Sequence, residues 1–309
     1  MTADSAVERT RCAAVAEMLA EPLAGTSATA TTWLALEQPG PWGREALSAS
    51  HLDDGVGQEL ARLSAGTGVR IVLIRRPGSH PDRHRPVPRT VYLAHTTPGR
   101  SWLERTSMTD PKELLDLDFA RAGAGDPGLL GTPVSNPLLL VCTNGRRDVC
   151  CALRGRPIAA ALATTHGDRV WETTHIGGHR FAPTAVLLPT GYSYGRLTEA
   201  AATRLLAGDP PLTDCRGRST WSAAGQVAEL AVRAETGVLD PDALTVTAVV
   251  DQPDGAALVD VADTDGRGWR VTVVPREVSP GRPASCGAAA KPAVALTALS
   301  VAPIVGVSS

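Results

Sequence analysis

The sequence predicts an α/β fold, a mixed β-sheet with flanking helices, followed by a small β-rich C-terminal region. Three observations predict it. Continuous apolar runs of strand length, such as Thr32–Glu37 and Pro137–Val141, end in turns and so suit buried strands. Stretches of helical character near Leu52–Leu63 and from Arg156-Pro157 onward alternate with them. From residue 243 to 302 the pattern changes to strand-type alternation, with a turn at Asp265-Gly266.

Taken in order, the start of the chain is amphipathic, because Glu17 and Glu21 interrupt its apolar residues at helical spacing. Thr32–Glu37, the turn at Pro39–Gly43, the helical stretch near Leu52–Leu63 and the runs Val69–Ile74 and Thr90–Ala94 give a first α/β unit. The loop RRPGSHPDRHRPVP separates its last two strands. A helical run, Pro111–Ala120, and a Gly/Pro-rich loop around Gly123–Pro133 read as a connector.

The second unit opens with the strand Pro137–Val141, and its helix is expected to start at Arg156-Pro157, with Pro in the first turn, and stop at Gly167. The strand Arg169–Thr174, a hairpin of Thr184–Leu188 and Tyr192–Leu197 about Pro189-Thr190-Gly191, and a helix over Thr198–Leu206 follow. Strand, helix, three strands, helix is the thioredoxin-like order. The first half repeats it loosely, which allows two tandem thioredoxin-like units, with RRPGSHPDRH falling where the second has THIGGHR. A helix over Trp221–Thr236 leads into the tail. The expected divisions are 1–130, an N-terminal α/β unit; 131–238, a thioredoxin-like domain; and 239–309, the β-rich region.

The chain has 309 residues, 43% of them apolar and 20% charged, which suits folded domains and not disorder. A net charge of −2 without a basic run argues against nucleic acid as a partner. The start lacks a signal-peptide core, so a cytoplasmic location is expected. The weakly polar tail after Gly287 carries Lys291, Pro292 and Pro303 and is not expected to span a membrane. Six cysteines in such a chain suggest metal binding or reduced thiols before disulfides. Cys12, Cys215 and Cys286 are solitary in sequence, whereas Cys142, Cys150 and Cys151 crowd together.

In CTNGRRDVCC, Cys142 and Cys151 stand nine positions apart, one at a strand end and one just ahead of the expected helix. His175 and His179 are four apart beyond the next strand, with Gly177 and Gly178 between them to let the loop curl back. Two thiols and two imidazoles from adjacent loops on one sheet edge suit tetrahedral iron or zinc. Either Cys150 or Cys151 can be the second thiolate.

CTNGRRDVCCALRGRP, WETTHIGGHRFAP and the early WLALEQPGPWG together resemble the sucrase/ferredoxin-like family, over roughly residues 10–240. The resemblance implies a thioredoxin-like ferredoxin whose [2Fe-2S] cluster is held by Cys142, Cys151, His175 and His179, with the family spacing favouring Cys151 over Cys150. Cys150 is then a buried neighbour. Trp171, Phe181 and Pro183 are expected to pack around the loop, and Arg146, Arg147 and Arg180 either to offset the cluster's negative charge or to be solvated, the solvated reading being preferred. The implied role is electron transfer with redox partner proteins. No pair of carboxylates suggests sugar hydrolysis. Two other readings stay open, a structural zinc module on the same four residues and a thiol-dependent oxidoreductase using Cys150 or Cys151 near a helix start. The tail after residue 240 is not expected to contribute to the site.

Overall fold

The structure, a computed structural model, describes residues 10–78 and 87–304. A short helix, α1 (Cys12–Met18), precedes strand β1 (Thr32–Glu37). Helix α2 (Asp54–Ser64) starts at Asp53, whose carboxylate accepts the Val56 N–H and so satisfies a donor the helix leaves free. Strands β2 (Val69–Arg75), β3 (Arg89–His95) and β4 (Trp102–Met108) follow. The connector is split into a 3-10 turn at Pro111–Asp116, helix α3 (Phe119–Ala124) and the short strand β5 (Thr132–Pro133).

The second unit comprises β6 (Leu138–Cys142), α4 (Val149–His166), β7 (Val170–Thr173), β8 (Ala185–Leu188), β9 (Tyr192–Tyr194), α5 (Glu199–Leu206) and β10 (Cys215–Arg218). Helix α6 (Ala223–Thr236) leads to β11 (Leu244–Asp251), β12 (Ala257–Asp263), β13 (Gly268–Pro283) and β14 (Ala290–Pro303).

The two halves have the same connectivity. β1 and β2 are parallel, as are β6 and β7, while β3 and β8 pair antiparallel on the other side of β1 and β6 respectively. β4 and β9 extend each half in the same way. Two thioredoxin-like arrangements thus join edge to edge in one ten-stranded mixed sheet, ordered β10-β9-β8-β6-β7-β2-β1-β3-β4-β5. The joint is antiparallel, with Ile74 opposite Thr173 and Arg75 opposite Glu172. The loop matched to HIGGH lies between β2 and β3, but its residues 79–86 fall outside the described residues.

Four elements differ from their sequence reading. Helix α4 begins seven residues earlier than expected, because Asp148 caps it and its carboxylate accepts the Cys150 N–H; Pro157 then sits inside the helix. Strands β4 and β10 lacked an apolar run: WLERTSM and CRGR are polar sequences whose burial is completed by neighbours. The second hairpin strand stops at Tyr194, since Arg196 turns back with a positive φ of 48°.

The C-terminal strands form a separate antiparallel sheet in the order β11-β12-β13-β14. Val227, Ala228 and Val232 of α6 pack against Val259, Val261 and Val271 of that sheet. The long β13–β14 hairpin extends beyond it, and buried Arg282 near its tip pairs with Glu21 at 2.7 Å. Among the described residues no helix is long and apolar enough to cross a membrane.

Candidate metal centre

Cys142 is the last residue of β6 and is fully buried, its N–H donating to the Thr184 carbonyl. The chain turns through Asn144, whose carbonyl accepts the N–H groups of Arg147 and Asp148, and α4 then carries Cys150 and Cys151 in its first turn. The helix lies unusually close to the strand end. A Cβ on Gly155 would fall 2.3 Å from the Cys142 carbonyl oxygen, so only glycine permits this approach. Cys151 thereby faces Cys142, and Cys150 points away.

Beyond β7 the HIGGH loop reverses through Gly177 and Gly178, both with positive φ (89° and 68°). The two imidazoles come to rest with centroids 5.2 Å apart. Cys142, Cys151 and His175 place one ligand atom each within 4.8 Å of one another. His179 stands beside them and faces Asp148, with Nε2 3.8 Å from a carboxylate oxygen. Three of the four residues read from the sequence thus converge, His179 lies beside His175 and faces Asp148, and Cys151 is the thiol turned toward Cys142.

Hydrogen bonding within this group sets its electrostatics. The Cys142 thiol is held well below its ordinary range by hydrogen bonds from Cys151 and then His175, against the opposing effect of burial. The same bond to Cys142, with burial, raises Cys151. Burial lowers His179, although the carboxylate of Asp148 opposes this. His175 Nδ1 and both ring nitrogens of His179 are buried without a hydrogen-bond partner. Orphaned polar atoms of this kind are costly unless something binds them.

Arginines grip the loop from behind. Arg216 is fully buried; it donates to the Gly177 carbonyl at 3.1 Å and to the Thr26 hydroxyl at 3.0 Å. Burial pushes its guanidinium down to about 10, which leaves it cationic at neutral pH. Arg70 donates to the His175 carbonyl at 3.4 Å. Neither was evident in the sequence, because nothing local links β2 or β10 to the loop. Of the arginines beside the motifs, Arg146 is exposed, whereas Arg147 and Arg180 are half-buried and paired with Glu45 and Glu21. The expectation that all three are solvated holds only for Arg146. Trp171 and Phe181 are buried as expected. His175 also borders a groove of about 770 Å³ lined by Arg44, Arg70, Asn144 and Arg147.

Two cysteines that are solitary in sequence are not so in space. Cys12 and Cys286 converge on Cys150 on the far side of Asp148, and the Cys286 N–H donates to that carboxylate at 2.8 Å. The tail therefore reaches Cys150 and Asp148, next to the four predicted ligands but in a separate group of side chains. An Asp immediately before a helix was the available signal for Asp148. Cys215 lies apart, buried beneath Tyr194, and burial pushes its thiol up to about 12.

A mixed sheet of paired thioredoxin-like halves, with buried cysteines and half-buried histidines beyond its strand ends, defines an α/β protein with a candidate Cys/His site. The family model described as sucrase/ferredoxin-like matches residues 23–209, well over half of the chain. The chain belongs to the sucrase/ferredoxin-like family. No curated protein and no solved structure matches it.

Proposed function

We propose that this protein is a one-electron carrier that holds a [2Fe-2S] cluster through Cys142, Cys151, His175 and His179. The observation that carries the reading is the set of buried imidazole nitrogens without hydrogen-bond partners beside a buried thiol pair. Two thiolates and two neutral imidazoles form a donor set that fits such a cluster.

When bound, the cluster supplies a reversible one-electron couple whose potential lies above that of all-thiolate clusters, because neutral imidazole replaces anionic sulfur. The chain does the rest. Cys142 and Cys151 provide the anionic ligands, and the low-lying Cys142 thiol favours its deprotonation. Gly177 and Gly178 set the reversal that aims both rings inward. Arg216 and Arg70 hold the loop backbone and place positive charge beside an anionic centre. Trp171, Ile176 and Phe181 exclude water. His175 reaches the wall of the arginine-lined groove, and we take this face as the point where redox partner proteins exchange electrons. A cytoplasmic location is part of the same reading.

A second reading rests on the closeness of Cys142, Cys151 and His175, whose ligand atoms within 4.8 Å of one another would suit a single zinc ion. Visible absorption together with iron and acid-labile sulfide analysis separates the two. A red-brown protein with about two irons and two sulfides per chain supports the cluster. A colourless pocket holding zinc supports the alternative.

A further inference from the structure

We propose that Cys12, Cys150, Cys286 and Asp148 form a second metal site, which binds one zinc ion and ties the N-terminal helix and the C-terminal hairpin to the central unit. The assignment does not depend on the cluster, because it uses none of the four residues assigned to it.

The three sulfurs form a closed triangle. Cys150 Sγ lies 3.3 Å from Cys286 Sγ, Cys286 Sγ 3.6 Å from Cys12 Sγ, and Cys12 Sγ 3.8 Å from Cys150 Sγ. The Asp148 carboxylate oxygens stand 3.6 and 3.7 Å from Cys12 Sγ, and one atom from each of the four residues lies within 4.8 Å of the others. With zinc–sulfur bonds of about 2.3 Å and zinc–oxygen bonds of about 2.0–2.2 Å, neighbouring ligands of a tetrahedral ion are about 3.5–3.8 Å apart. Four of the five distances, 3.6–3.8 Å, have that size, and the Cys150–Cys286 edge at 3.3 Å is slightly shorter. They are too long for a disulfide, whose sulfurs are about 2.05 Å apart, and any disulfide would leave the third thiol over.

The site is also built to stay in place. Cys12, Cys150 and Asp148 are buried, and Cys286 is half-buried. Asp148 is fixed by two backbone donors, the N–H of Cys150 at 2.9 Å and of Cys286 at 2.8 Å, one on each carboxylate oxygen. Each oxygen keeps a free lone pair for a cation. Three soft thiolates with one carboxylate favour zinc among common divalent ions, and binding would release the thiol protons. Cys12 and Cys286 both lie outside the family match of residues 23–209, so half of the donor set comes from segments added around the family unit. Cys12 and Cys286 are 274 positions apart, so the ion would close nearly the whole chain into a loop.

The test is metal analysis of full-length protein purified without chelators. About one zinc per chain is expected at this site. Cys12→Ser and Cys286→Ser should each reduce it to near zero while leaving iron content and the visible spectrum as in the unmodified protein. Cys142→Ser should do the reverse, losing iron and keeping zinc, so failure of the cluster reading and failure of this one are distinguishable. Should the Ser variants fail to fold, Co2+ titration of the metal-stripped Cys142→Ser protein reads the site directly. Intense thiolate-to-cobalt bands saturating at about one equivalent support it. Zinc unchanged in both Ser variants, cobalt without thiolate bands, or a Cys150–Cys286 disulfide found by thiol counting under denaturing conditions would overturn it.

Discussion

Adjacent residues can serve different ends when a helix begins between them. Cys150 and Cys151 stand in the first turn of α4, where a step of about 100° separates their directions, so one thiol faces Cys142 and the other faces Cys12. Only thiolates bonded to iron govern its absorption. Cys142→Ser or Cys151→Ser is therefore expected to abolish or strongly alter the visible spectrum, while Cys150→Ser leaves it nearly intact; bleaching by Cys150→Ser alone would reverse the assignment. The histidines add a property that cysteine lacks, a second ring nitrogen that can lose its proton. Oxidised iron makes that proton more acidic, so the oxidised state sheds it at lower pH than the reduced state. Between those two pKa values the reduction potential is expected to fall as pH rises, by about 59 mV per pH unit for each proton coupled to one electron. Voltammetry across neutral to alkaline pH measures this, and His175→Cys or His179→Cys should lower the potential and weaken its pH dependence.

At the scale of elements, close approach positions the site. Gly155 lets α4 lie against the end of β6, and an added Cβ would have to displace the Cys142 carbonyl. Gly155→Ala is expected to destabilise the protein by about 1–3 kcal/mol, read as a lower midpoint in urea without a change in slope. Gly178 carries a positive φ, and a Cβ there would fall 2.3 Å from the Arg216 guanidinium. Gly178→Ala should thus loosen the histidine loop and lower metal retention under chelator challenge more than it lowers the urea midpoint. The apolar runs made β1, β2, β3, β6, β7 and β8 legible in the sequence, since each is a buried strand whose neighbours are apolar too. The start of α4 was misread because Pro157 is a stronger local punctuator than a capping Asp148 nine residues earlier. Strands β4 and β10 were illegible because their place is fixed by pairing partners, a tertiary effect that no local pattern carries.

For the molecule as a whole, the repeated connectivity makes the β2–β7 joint the line along which two similar halves meet. Arg75 and Glu172 pair there at 2.8 Å, both almost completely buried, and Thr143 also donates to Glu172. Arg75→Met removes one partner of this buried ion pair, at an expected cost of about 3–5 kcal/mol in chemical denaturation. The repeat was visible in the sequence as a similar order of elements, and the convergence of Cys142, Cys151 and His175, with His179 beside His175, was visible because chain-local spacing brings Cys142 to Cys151 and His175 to His179. The contribution of the termini was not, since Cys12 and Cys286 meet the centre only through tertiary packing of α1 and the β13–β14 hairpin. The central claim is that His175 and His179 ligate iron alongside Cys142 and Cys151. Pulsed electron paramagnetic resonance of the reduced full-length protein tests it most directly. The expected result is a paramagnetic iron–sulfur centre coupled to two imidazole nitrogens, absent in Cys142→Ser; a centre without nitrogen coupling, or a pocket that holds zinc and gives no signal, would contradict it.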